Sequence, residues 1–231
     1  MKTKTSSSLL LIGSGRLAKH FQCYFQQKNI PFKTWNRSQD LNLLDSLTAE
    51  ASHILLAISD AALADFIHNN LKKTSAQIVH FSGALNIEGA ACAHPLMSFG
   101  PELYSEDDYT KIYFAITGAS SLEELLPGLS NSYSKISAED KPMYHALCVM
   151  GGNFPILLWN KMSQGFKDLG LPAEASKIYL EKIVENFNRC GAGALTGPLV
   201  RKDTTTIQSN INALSGDSFQ KVYSAFVEAY K

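Results

Sequence analysis

The chain has 231 residues, 45% of them hydrophobic, and 21 basic side chains balance 21 acidic ones. That length fits one large domain or two modest ones, and that apolar content excludes a disordered chain. The balanced charge lacks the basic excess of a nucleic-acid binder.

The opening residues, Met1 to Ser8, are polar, and Leu9 to Ile12 is too short for the apolar core of a secretion signal. No run is long enough to span a bilayer. The expected location is cytoplasmic, with neither nucleic acid nor membrane as a partner. Cys23, Cys92, Cys148 and Cys190 are far apart and form no Cys-x-x-Cys pair, so buried free thiols are expected and no metal motif is present.

Leu9-Leu10-Leu11-Ile12 leads into Gly13-Ser14-Gly15-Arg16-Leu17-Ala18, the order of a buried strand, a tight turn and a helix start. Gly13 permits a positive φ, Gly15 leaves the backbone open to a pyrophosphate, and Ala18 lets the helix pack close to the strand. The free amides of the first helical turn then suit an anion. Gly13, Ser14, Gly15, Arg16 and Leu17 are therefore the expected pyrophosphate site. The competing reading is a strand-to-helix turn whose glycines serve geometry alone. Leu17, Phe21, Tyr24 and Phe25 give the following helix, to about Lys28, one apolar face.

Pro31 to Trp35 reads as a second strand ending at Asn36-Arg37-Ser38. An acidic residue here would favour NAD through the ribose hydroxyls. A guanidinium with neutral donors instead suits a 2′-phosphate, so Asn36, Arg37 and Ser38 point to NADP. A solvated turn is the competing reading, and Asp40 and Asp45 further on are the carboxylates that would favour NAD. His53 to Ile58 is a third strand, continuously apolar as in a parallel sheet. Ala57, Ile58 and Ser59 at its end join the expected cofactor site, and Ser59-Asp60 can cap the next helix. Gln77 to Phe81 is the fourth strand, and Ser82 in the following Ser82-Gly83 turn is placed to face a ligand. Gly89 to His94 reads as a short strand ended by Pro95, with the His94–Pro95 bond a candidate cis peptide. Lys111 to Thr117 is a strand, Leu122 to Leu126 a short helix and Tyr133 to Ile136 an edge strand.

From about residue 139 only helices follow. Asp140 to Gly170 is one long stretch interrupted at Gly151-Gly152-Asn153-Phe154-Pro155. Ala173 to Cys190, Thr204 to Leu214 and Asp217 to Tyr230 complete the set. The expected fold class is α/β: a Rossmann-type, mainly parallel sheet in residues 1–138, then an all-α domain in residues 139–231. The cofactor would lie along the carboxyl edge of the sheet, with substrate in the cleft between the domains.

Three segments carry a resemblance: Val79-His80-Phe81-Ser82-Gly83-Ala84-Leu85, His94-Pro95-Leu96-Met97-Ser98-Phe99, and Ala194-Leu195-Thr196-Gly197-Pro198-Leu199-Val200-Arg201-Lys202-Asp203. The chain resembles a Rossmann-like family whose C-terminal half is a domain of unknown function (DUF2520 type). That family lies in the wider group of pyrroline-carboxylate reductase and the 6-phosphogluconate (β-hydroxyacid) dehydrogenases. Its pattern usually has glycine where Lys202 stands. The resemblance implies an NADP-binding domain and a helical second domain that forms a homodimer, and it names no substrate.

Hydride transfer asks the protein for placement and for a proton donor within reach. His94, at the end of a strand, is a general acid or a substrate anchor, against the alternative of a loop-bonded histidine. His145 and Asn153 lie about two turns apart on the first helix after residue 139 and are the other candidate catalytic residues. Ser82, Thr196 and Arg201 are the candidate substrate-binding residues, Arg201 through a bidentate pair with a carboxylate. These readings combine as an NADP(H)-dependent oxidoreductase acting on a small C=O or C=N substrate. The alternative is an NADP-binding sensor without chemistry. A structural homodimer without cofactor is a third case.

Overall fold

The computed structural model describes residues 8–230. Among them, seven strands form one sheet: β1 (Leu9–Ile12), β2 (Phe32–Trp35), β3 (His53–Leu56), β4 (Gln77–His80), β5 (Ala91–Leu96), β6 (Tyr113–Thr117) and β7 (Tyr133–Lys135). Their order across the sheet is β2-β1-β3-β4-β5-β6-β7. Strands β1 to β5 are parallel, β6 runs against β5, and β7 follows β6. The expected mainly parallel Rossmann-type sheet, followed by helices, is the architecture observed.

The apolar strand runs are buried because both faces are covered. Side chains alternate across the sheet. Leu9, Leu11 and Leu55 pack on one face with Phe21 and Phe25 of α1 (Arg16–Gln27). Leu10, Ile12, Ile54 and Leu56 pack on the other with Leu44 of α2 (Leu41–Glu50) and Leu63 of α3 (Asp60–Asn70). Phe21 stacks on Phe81 with ring centroids 4.5 Å apart, which fixes α1 against the end of β4.

From β1 the chain turns to β2 on one side and then crosses to β3 on the other. The ends of β1 and β3 therefore flank a topological switch point, where open α/β sheets bind ligands. Gly13 sits there at φ +137°, and a Cβ on it would lie 2.2 Å from the Ala57 carbonyl oxygen. Its amide donates to Trp35 O at 2.9 Å, while the Ala57 amide donates to Ile12 O at 2.8 Å. Close approach, as much as backbone conformation, demands glycine.

Two helices that sequence reading did not mark are present. Asp40 caps α2, its Oδ1 accepting from the Asn42 amide at 2.8 Å, and Ser105 caps the short α4 (Glu106–Thr110). Three expectations are corrected. Strand β5 runs through Pro95 to Leu96, and Pro95 pairs with Phe114. The Phe114 amide points away from β5, to Ser132 O, so Pro95 occupies a position whose missing N–H faces away from β6. Strand β4 pairs with β5 only as far as Cys92, so that side has no partner to lose. Among the described residues no peptide bond is cis, and His94–Pro95 is trans. All four cysteines are free, but only Cys92 is buried, and Cys190 is exposed.

The sheet edges are short. Strand β7 is three exposed residues, and β2 carries Lys33, whose Nζ pairs with Glu50 at 2.5 Å.

After α5 (Leu122–Leu125) and β7 come α6 (Lys141–Cys148), a π turn (Val149–Asn153) and α7 (Phe154–Asp168). In the π turn the Phe154 amide donates five residues back, to Val149 O. This widening lies next to Pro155, which has no amide to continue the α pattern. Then follow α8 (Ala173–Cys190), α9 (Thr204–Ala213) and α10 (Phe219–Ala229). The chain divides into two compact units between Pro155 and Ile156, so α6 belongs with the sheet. In the second unit Lys202 adopts φ +54°, the left-handed conformation that glycine takes without cost.

Replacing Gly13 with alanine should destabilise the first unit by about 3 kcal/mol or more, because backbone must move to admit the methyl group. Urea unfolding followed by circular dichroism measures it, and a loss below about 0.5 kcal/mol would contradict the close approach.

Candidate functional site

The site begins at the switch point. Gly15 is the N-cap of α1 and supplies no side-chain cap, and Ser59 before α3 makes no side-chain cap bond either. Helices α2, α4 and α5 are capped by Asp40, Ser105 and Ser121. A Cβ on Gly15 would meet nothing within 4 Å. The first amides of α1 thus face open space at the positive end of the helix dipole, a setting that suits a pyrophosphate.

The bond from Gly13 to Trp35 O places the Asn36 turn beside this opening. Asn36 Oδ1 accepts from the Ser38 amide at 3.0 Å and from Ser38 Oγ at 2.6 Å. The Asn36 amide donates to Gln39 Oε1 at 2.9 Å. These bonds close the turn and leave Arg37 exposed, with no ion pair among the described residues. Asp40 is engaged as the α2 cap, and Asp45 lies within α2. Arg16 extends to Phe99 O at 3.4 Å.

A second group of polar side chains gathers at the carboxyl ends of β4 and β5. Ser82 is its junction. Its hydroxyl donates to Asp60 Oδ2 at 2.7 Å and accepts from the amides of Ala84 (3.3 Å) and Leu85 (3.1 Å). Its carbonyl accepts from Lys141 Nζ at 3.0 Å and from the Cys92 thiol at 3.1 Å. Its amide donates to His80 Nδ1 at 3.2 Å. Lys141, the first residue of α6, is 1% exposed. Tyr144 and His145, three and four residues later, share its helix face. The Tyr144 hydroxyl lies 2.6 Å from His94 Nδ1, and the His145 ring stands edge-on to His94 with centroids 6.4 Å apart. Gly83 makes room for both rings: a Cβ there would lie 2.7 Å from His145 Cδ2 and 2.9 Å from His94 Nε2.

Burial lowers His94 to about 4, with the neighbouring His145 and Lys141 adding to the effect. Burial also lowers His80 to about 4, with Lys141 adding to the effect. Burial raises the Tyr144 hydroxyl and the Cys92 thiol, and Lys141 opposes the rise at Cys92. At neutral pH His94 is an uncharged imidazole beside a protonated phenol. It can hold a ligand through hydrogen bonds but does not deliver a proton as imidazolium.

The structure thus brings together Ser82, His94 and His145. Gly13, Ser14, Gly15, Arg16 and Leu17 flank the switch point with Ala57, Ile58, Ser59 and the Asn36-Arg37-Ser38 turn. Asn153 is exposed at the end of the π turn and hydrogen-bonds to none of the cluster. Thr196 and Arg201 belong to the second unit. There Thr196 lines an apolar cavity of about 410 Å³ with Leu158, Met162, Pro198 and Phe226, and Arg201 is exposed. Sequence reading missed Lys141, Tyr144 and Asp60. The one signal available for the first two was the spacing of Lys141, Tyr144 and His145 at i, i+3 and i+4. Among the described residues no group of three or more His, Cys, Asp or Glu side chains could hold a metal ion, and no helix is long and apolar enough to cross a membrane.

A family model described as "Domain of unknown function (DUF2520)" matches residues 112–230, more than half of the chain. The chain belongs to this family. The matched segment carries Lys141, Tyr144 and His145. No curated protein matches the chain. Among solved structures, the fold is similar to that of the Bacteroides fragilis protein BF3122, with TM-score 0.76, 20% identity and coverage of 97% of this chain and 98% of that one. It is also similar to a Plasmodium falciparum pyrroline carboxylate reductase with NADP bound (TM-score 0.61, 15% identity, 97% and 95% covered). A Streptomyces aurantiacus imine reductase gives TM-score 0.66 at 12% identity, with 97% and 93% covered. The fold therefore resembles that of NAD(P)-dependent reductases.

The lowered histidines set a pH dependence. Each binds its proton less readily in the folded protein than at the ordinary 6.5. The folded state is thus fully favoured above about pH 6.5, and stability falls as pH drops toward 4, by roughly 3 kcal/mol for each histidine at the low end. Urea unfolding between pH 7.5 and 4 should show this slope. In His80→Asn, whose carboxamide oxygen can replace Nδ1 as acceptor, the slope should fall by about half, and an equal slope would contradict the assignment.

Proposed function

We propose that the protein is an NADP(H)-dependent oxidoreductase that transfers hydride to or from a small C=O or C=N substrate. The observation that carries this reading is the uncapped glycine turn at the switch point with an exposed, unpaired Arg37 beside it. Such a pair suits a pyrophosphate and a 2′-phosphate 20 or so residues apart in sequence. Nucleotide-bound relatives of similar fold support it.

In this reading the backbone of Gly13, Ser14, Gly15, Arg16 and Leu17 binds the pyrophosphate, and Ala57, Ile58 and Ser59 form the opposite wall. Asn36, Arg37 and Ser38 hold the ribose phosphate. The nicotinamide supplies or accepts the hydride. The chain's part on the substrate side is placement and proton supply. Neutral His94, braced by Tyr144, and His145 orient the substrate. Lys141 Nζ gives the proton that the acceptor oxygen or nitrogen takes up as the new C–H bond forms. In its buried setting an electrostatic interaction with the reacting atom is stronger than it would be in water.

One observation favours a sensor without chemistry. Lys141 already donates to Ser82 O and His94 already bonds Tyr144, so the polar groups satisfy one another. NADPH uptake with no turnover across keto acids, aldehydes and imines would select that reading.

Self-association through the helical unit is part of this reading, and an exposed apolar face supports it. Helix α8 buries only Ser176, while Ile178 is 61% and Phe187 62% exposed. A second copy of this chain is the partner proposed for that face.

Calorimetric titration should show NADPH binding more tightly than NADH. Arg37→Glu should weaken NADPH by about 10- to 100-fold, the worth of a charge-assisted contact, and reverse the preference. Tighter NADH in the native protein would overturn the Arg37 assignment, and binding of neither would overturn the function. Sedimentation at micromolar concentration should give a dimer, and Phe187→Glu should give a monomer. A native monomer would remove α8 as the contact.

A further inference from the structure

Lys141 is buried, and among the described residues no carboxylate lies within ion-pair distance of it. Burying such a group without a compensating charge is costly. The groups that face it come from four elements: His80 on β4, Cys92 and His94 on β5, Asp60 on α3, and Tyr144 and His145 on its own helix. Asp60 is the one carboxylate among them, and it reaches Lys141 through a single residue. Its Oδ2 accepts from Ser82 Oγ at 2.7 Å, and Ser82 O accepts from Lys141 Nζ at 3.0 Å.

Two features set this apart from an ordinary turn contact. Asp60 is the first residue of α3, where a carboxylate would cap or face its own helix amides. It is turned instead onto Ser82 of the neighbouring strand's turn. Ser82 also bonds His80, Cys92, Ala84 and Leu85, so it has no freedom to swing. The link between Asp60 and Lys141 is therefore rigid. Asp60 also follows directly on Ala57-Ile58-Ser59, the wall assigned to the cofactor.

We propose that Asp60 is a positioning residue that acts through Ser82, supplying the negative charge that balances Lys141 and aiming its ammonium. This rests on the reading of Lys141 as the proton source, and it ties that source to the wall assigned to the dinucleotide. The buried lysine and the first turn of α3 then behave as one electrostatic unit, with Ser82 as the rigid arm between them.

The test is a titration of the full chain labelled with ¹³C at lysine Cε and followed by nuclear magnetic resonance, with the Lys141 signal assigned by its loss in Lys141→Met. Asp60→Asn keeps an acceptor for Ser82 Oγ but removes the charge. Its Lys141 midpoint should fall by about one pH unit, a tenfold change in proton affinity, while Asp60→Glu should restore the native midpoint. Ser82→Ala leaves both charges and cuts the arm, and should move the midpoint in the same direction. A folded Asp60→Asn or Ser82→Ala protein with an unmoved midpoint overturns the proposal. NADPH titration of the same samples separates the two claims. Unchanged NADPH binding with an unmoved midpoint defeats the role of Asp60 alone, whereas a moved midpoint without NADPH binding in the native chain defeats the oxidoreductase reading and leaves the coupling intact.

Discussion

The contact on which the first unit depends is the one between Gly13 and the Ala57 carbonyl. A side chain at Gly13 would overlap that oxygen, so the ends of β1 and β3 can converge only because none is there. The same glycine donates to Trp35 O, which brings β2 to the same line. Three strands thus finish together. The loops that leave them diverge to opposite faces of the sheet, and the opening between is lined by uncapped helix starts. The anion-binding character of that opening follows from strand geometry before any ligand is considered.

The second polar group obeys a different constraint. It sits where β4 ends and β5 continues with β6 as its one remaining neighbour, so on the β4 side the sheet stops supplying backbone partners. Ser82 fills that gap in the ladder with its carbonyl, amide and hydroxyl all engaged. Because interior polar groups must be satisfied, a junction of this kind holds its neighbours to one arrangement. It also explains how Pro95 fits within a strand, since its nitrogen faces the side that β4 has already left.

How much could be read from residues alone depended on how local the determinants are. The glycine turn, the Asn36-Arg37-Ser38 tip and the apolar strands are contiguous, and they were legible. Helix α8 was legible from its length. Helix α2, which starts at its Asp40 cap, was not. Lys141 was hidden for another reason: its partner Ser82 lies 59 residues away, and no spacing in the chain announces that meeting. His94 was placed correctly on the fifth strand, but its neutrality depends on burial and on charges from α6, which only the folded chain brings near.

The sheet edges have a consequence for how copies of this chain can meet. A strand of three residues at one side and a lysine-bearing strand of four at the other offer few ladder hydrogen bonds to an incoming chain, and a charged side chain must be desolvated to use them. Extension of the sheet from molecule to molecule is thereby discouraged at both ends. The fold protects itself against strand-by-strand aggregation while leaving its helices free to choose partners.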